Sequence, residues 1–80
     1  MSVRLHRVVP EKNMRRYYRL DVQPDLFGHE CLIREWGRIG RSGQTRVVPY
    51  PTLTEAQAAF EKQRGVKEKR CYVAVPAIWQ

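Results

Sequence analysis

Cysteine, histidine and acidic residues are all scarce in this chain, and each shortage removes a class of function. The two cysteines, Cys31 and Cys71, lie far apart with no CxxC spacing and no histidine pair nearby. That pattern argues against a structural zinc site. The thiols read as two reduced, partly buried groups of a cytosolic protein, with a single disulfide as the alternative. The two histidines, His6 and His29, stand in no motif with a nucleophile or a metal-ligand set, so neither an enzyme nor a cofactor is expected. His6 reads as a surface side chain on a strand, and His29 as a loop residue suited to capping or to phosphate. Glu30 and Glu35 are an odd number of residues apart on one strand and face opposite sides. No apolar run approaches the ~20 residues of a membrane span. Arginines interrupt the segment from Met1 to Val9, so it does not read as a secretory leader. The expected location is the cytoplasm, or the nucleoid in a bacterium, with no membrane partner.

What the chain has in excess is arginine. Fifteen Lys and Arg face eight Asp and Glu, for a net charge of +7, and eleven of the fifteen cations are arginine. Arginine forks onto phosphate and stacks on bases, whereas a surface charged only for solubility uses more lysine and glutamate. Eighty residues make one domain, and a chain of that size buries only about 60% of its unfolded surface. Hydrophobic content of 42% and charged content of 29% are those of an ordinary globular chain. The domain is expected over residues 1–75, with a tail at 76–80.

Alternation and punctuation divide the chain. Val3 to Val9 reads as a first, edge strand that ends at Pro10, and Pro10 to Asn13 has turn chemistry. Arg15 to Gln23 is the clearest strand, with Tyr18, Leu20 and Val22 inward and Tyr17, Arg19, Asp21 and Gln23 on a wet face. Pro24 to His29 breaks the pattern, and its Leu26 and Phe27 are expected to fold over one end of the core. Glu30 to Arg38 forms a third strand, with a bulge near Glu35 or Gly37 to reconcile its register. Ser42-Gly43 turns the chain into a fourth strand, Gln44 to Tyr50. Thr52 to about Lys69 is the helix, capped by Thr52 with Glu55, or alternatively by Thr54 with Gln57. Leu53, Ala56, Ala59, Phe60 and Gln63 supply its apolar stripe, and Gly65 is expected to shorten the regular part. Cys71 to Val75 is a last strand or extended segment, and Trp79 in the tail has no assigned place. The fold class is α+β: a small antiparallel sheet of four to five strands with one helix packed across one face.

One stretch carries the functional argument, Arg34-Glu35-Trp36-Gly37-Arg38-Ile39-Gly40-Arg41-Ser42-Gly43-Gln44-Thr45. In an extended chain Arg34, Trp36 and Arg38 share a face, so cations flank an aromatic plate. The glycine spacing is GxxGxxG and leads into a strand, which reads as hairpin geometry presenting Arg38 and Arg41. Backbone amides that meet a phosphate are the alternative. Arg15-Arg16-Tyr17-Tyr18 forms a second basic-aromatic cluster, and Arg46 follows on the fourth strand. Against binding stand a Trp36 hidden in the core, arginines that only stack on it, and a solvated strand start.

The run Trp36-Gly37-Arg38-Ile39-Gly40-Arg41-Ser42-Gly43-Gln44 resembles the motif of the WGR domain, found in DNA-dependent poly(ADP-ribose) polymerases and in stand-alone bacterial proteins. The resemblance extends to Arg16-Tyr17-Tyr18-Arg19-Leu20, Asp25-Leu26-Phe27-Gly28, Glu55, Ala56, Phe60 and Tyr72. It implies a small antiparallel sheet with one helix, Trp36 stacking on a sugar or base at a DNA end, and Arg38 in DNA and interdomain contacts. It also implies that Arg15 and Arg16 approach a terminal phosphate. The polymerases' zinc fingers, regulatory helical domain and transferase domain have no counterpart in these residues.

The expectation is a non-enzymatic nucleic-acid-binding module, with DNA ahead of RNA, contacting ends or single-stranded and nicked regions. Its site residues are Trp36, Arg38, Arg34, Arg41, Arg16, Arg15 and Arg46. The alternative is a docking module for a separate protein, with little or no nucleic-acid binding.

Overall fold

The computed structural model describes residues 1–76, so Trp79 and the tail beyond Pro76 lie outside the described residues. β-Branched and aromatic residues in alternation build β1 (Ser2–Val9), β2 (Met14–Pro24), β3 (Glu30–Arg38) and β4 (Gln44–Tyr50), followed by the helix α1 (Leu53–Lys69) and the short β5 (Val73–Ala74). They form one sheet in the order β4-β3-β2-β1-β5, antiparallel throughout. The fold is α+β, a five-stranded antiparallel sheet with one helix packed against it.

The core lies between α1 and one sheet face. Leu5, Leu20 and Leu32 are fully buried there, with Ala56 and Phe60 of the helix, and Tyr18 and Val22 complete the cluster. The helix begins as expected at Thr52, whose Oγ1 accepts from the Glu55 amide at 3.2 Å, and Thr54 plays no cap role. Gly65 does not shorten it. The helix continues to Lys69, held by its neighbouring turns, and then ends as Cys71 adopts a positive φ of 68°.

Five further details differ from expectation. First, β1 is not an edge strand: β5 pairs with it at Leu5 and His6, and β4 is left as the long edge. Second, β3 has no bulge, since pairing with β2 runs unbroken from Arg16–Arg38 to Pro24–Glu30. The register needs no bulge because Trp36 shares the helix-covered face. Glu35 lies on the opposite face and meets Arg19 at 3.3 Å. Third, that opposite face is not uniformly wet: Tyr17 is 3% and Asp21 7% exposed. The guanidinium of Arg4 lies 4.4 Å from the centre of the Tyr17 ring, and Asp21 accepts from Gln23 at 2.7 Å. Fourth, Leu26 and Phe27 do not cover the core; they are 98% and 84% exposed. Strand pairing up to Pro24–Glu30 leaves only Asp25–His29 to close the hairpin, too short a link to fold back. Fifth, Cys31 is buried but Cys71 is exposed, and both are free thiols.

Candidate nucleic-acid interface

The β1–β2 turn, the open end of the β2–β3 pair and the last turns of α1 converge at one end of the sheet. Their register sets the site. Tyr18 pairs with Trp36 across β2 and β3, and one step outward on the same face Arg16 pairs with Arg38. The Tyr18 and Trp36 rings lie 6.1 Å apart between centres and 19° from parallel, and Tyr72 meets Tyr18 edge-on at 6.4 Å. Trp36 is half-buried against the core, so one part of its ring is anchored and another faces the cleft.

These residues floor a cleft of about 440 Å³. Every charged side chain on its wall is cationic: Lys12, Arg15, Arg16, Arg38 and Lys67. Arg38 is tied to the neighbouring turn, its Nη1 donating to the Asn13 carbonyl at 3.2 Å and its Nη2 to Asn13 Oδ1 at 3.4 Å. Asn13 holds that turn with a left-handed φ of 50°, a conformation asparagine tolerates. The bonds to Asn13 are neutral and leave the positive charge of Arg38 uncompensated.

The site residues expected from sequence are therefore only partly assembled. Arg16, Trp36 and Arg38 stand together in the cleft, and Arg15 borders it although alternation turns it from Arg16. Arg34 lies beyond Trp36, its guanidinium carbon 6.0 Å from the ring centre, in an adjoining recess of about 200 Å³ shared by Tyr18, Trp36 and Lys67. Its Nε is buried without a partner. Arg46 faces Arg34 across the β3–β4 pair, outside both cavities. Arg41 projects from the turn after Gly40 and does not reach the cleft.

Lys67 and Tyr72 were absent from that set and belong to the cleft wall. The Lys67 ammonium sits 4.4 Å from the Tyr18 ring centre and 5.6 Å from that of Tyr72. Burial, and then the charges of Arg70 and Arg34, lower its pKa. Burial raises that of Tyr18, against the pull of Arg34. One signal pointed to Lys67: it follows Phe60 and Gln63 at helical spacing, on the stripe that faces the sheet.

The glycines serve geometry. Gly37 and Gly43 cross in contact, such that a methyl at Gly37 would lie 2.8 Å from Gly43 Cα and 3.4 Å from Tyr17. Gly40 turns the loop with a φ of 87°. The histidines lie outside the cleft: His6 accepts from Arg4 Nε at 3.0 Å, and His29 Nδ1 is 3.2 Å from Asp25. Among the described residues no cluster of His, Cys, Asp or Glu is arranged to hold a metal, and no helix is long and apolar enough to cross a membrane.

A sequence model of the WGR domain matches residues 1–77. The chain belongs to the WGR family. WGR domains are a family of nucleic-acid-binding modules, and a WGR domain by itself is non-catalytic. A curated relative is the uncharacterized protein y4dW of Sinorhizobium fredii, 39% identical over 74 residues. The match covers 92% of this chain but 36% of that protein, so the chain spans about a third of the relative's length. In this WGR domain the Trp-Gly-Arg tripeptide, Trp36 to Arg38, forms the end of β3 and one wall of the cationic cleft.

Proposed function

We propose that this chain is a non-enzymatic module that binds nucleic acid, DNA in the first place, at ends and at nicked or single-stranded positions. The observation that carries the reading is the single cleft in which an aromatic floor, Tyr18 and Trp36, meets a wall whose charges are all positive. A continuous duplex hides its base faces, whereas an end or gap exposes a base or sugar that Trp36 can stack on. Such stacking contributes about 1–3 kcal/mol per base. The cations add a salt-dependent, sequence-tolerant attraction.

Blunt, nicked and covalently closed circular DNA, compared in one binding assay, test the reading. Tighter binding to the first two is expected, and Trp36→Ala should reduce it by about tenfold, since about 1.4 kcal/mol is a factor of ten. Equal affinity for all three, unchanged in Trp36→Ala, would leave only generic electrostatic attraction.

A second reading, docking on a separate protein, draws on Leu26 and Phe27, displayed in solvent at the other end of the β2–β3 hairpin. Partners that co-purify after nuclease treatment and are lost in Leu26→Ser with Phe27→Ser would favour it.

A further inference from the structure

The cross-strand register extends the cation pair at the cleft into a row. Arg38 on β3 faces Arg16 on β2, and Arg16 faces Arg7 on β1. All three point to the side of the next row inward, Trp36, Tyr18 and Leu5, which packs toward the helix. Like charges directly opposite on neighbouring strands destabilise a sheet. Among the described residues, none of the three arginines lies within ion-pair distance of a carboxylate. Arg7 is also half-buried, and its Nε is shielded from solvent with no hydrogen-bond partner. The like-charge row, with no carboxylate beside it, leaves its positive charge for an anion from outside the protein.

We propose that the row Arg38, Arg16, Arg7 is a phosphate track. Building on the reading above, one strand of bound nucleic acid leaves the base stacked at Trp36 and crosses β3, β2 and β1 at right angles to them. Only the base at Trp36 stacks, because Tyr18 and Leu5 are covered by the helix, and the phosphates lie over the arginine row. With strands ~4.8 Å apart, the row is about 10 Å long. That length exceeds the axial rise of about 3.4 Å per phosphate on one strand, so the row is long enough to meet more than one phosphate. The even spacing suits a polyanion with a regular repeat, and Arg7 is its last contact.

Fluorescence anisotropy with a short labelled thymidine oligonucleotide, titrated across a salt series, tests the track. In Arg7→Gln the log–log salt slope should shrink by about 0.7, and affinity at about 0.1 M salt should fall about fivefold. Arg7→Lys should keep the slope. Trp36→Ala should weaken binding while leaving the slope in place. The thermal midpoint of Arg7→Gln is expected at or above that of the parent, because the like-charge row is relieved, so lost folding does not mimic lost contact. An Arg7→Gln protein with parental affinity and slope, beside a weakened Trp36→Ala, overturns the track but not the stacked end. Absence of oligonucleotide binding in the parent overturns both. Competition by polyglutamate as effective as that by the oligonucleotide overturns the assignment to nucleic acid.

Discussion

A methyl group at Gly43 would run into the backbone carbonyl of Trp36, a fixed part of the sheet, and lie 2.6 Å from the hydroxyl of the buried Tyr17 side chain. The aim of Trp36 therefore depends on a residue seven positions away that never meets a ligand. Gly43→Ala should destabilise the domain by about 3 kcal/mol, the upper end of ordinary overpacking, as read by urea unfolding. A loss below about 0.5 kcal/mol would show that the loop relaxes freely. The glycine spacing was legible as hairpin geometry, because turn chemistry is local. The burial of Tyr17 was not, because alternation assigned it to solvent. Only the folded loop and Arg4 reveal its cover. Trp36 shows the same limit: period two put it on one side of β3 with Arg34 and Arg38, but only the unbroken register shows that this side is the one the helix covers.

At the scale of elements, the strands and the helix were legible from alternation, prolines and the Thr52 cap, all signals carried within a few residues. Thr52→Ala removes the acceptor for the Glu55 amide and should cost about 1 kcal/mol in thermal or denaturant unfolding. An unchanged stability would mean that the cap adds nothing here. The Asp25–His29 loop was misread because exposed Leu26 and Phe27 carry a hydrophobic signal that suggests burial. A polar device holds the loop open instead. Asp25 Oδ1 accepts from the amides of Phe27 at 2.8 Å and His29 at 2.9 Å, and Gly28 takes a φ of 83°. The His29 amide first, with the Phe27 amide and the His29 ring, outweighs the opposing effect of desolvation and holds the Asp25 carboxyl below its ordinary value of 3.8. Its folded pKa is depressed, so the loop's support is fully present above the ordinary value and is lost as pH falls through the lower one. The amide resonances of Phe27 and His29 should therefore titrate below pH 3.8. A midpoint at or above that value would contradict the bonding.

Across the whole molecule, charge is sorted by place. The acids of the sheet's open face, Asp21 and Glu35, are shared with Arg19, while the far end of the covered face carries Arg16, Arg38 and Lys67 around Tyr18 and Trp36. Composition revealed the excess of cations but not this separation, since register and helix placement decide which charges meet. That is why Arg41 and Arg46 read as equals of Arg16 in sequence yet stand apart from the cleft, and why Lys67 went unseen. The separation also gives the account its most direct test, the mapping of backbone and side-chain shifts in isotope-labelled protein as a short DNA duplex end is added. With Trp79 replaced to remove its indole signal, the Trp36 indole and the amides around Tyr18, Arg38 and Lys67 should move first. Changes confined to Leu26 and Phe27 or to the open face, with the Trp36 indole unmoved, would contradict it.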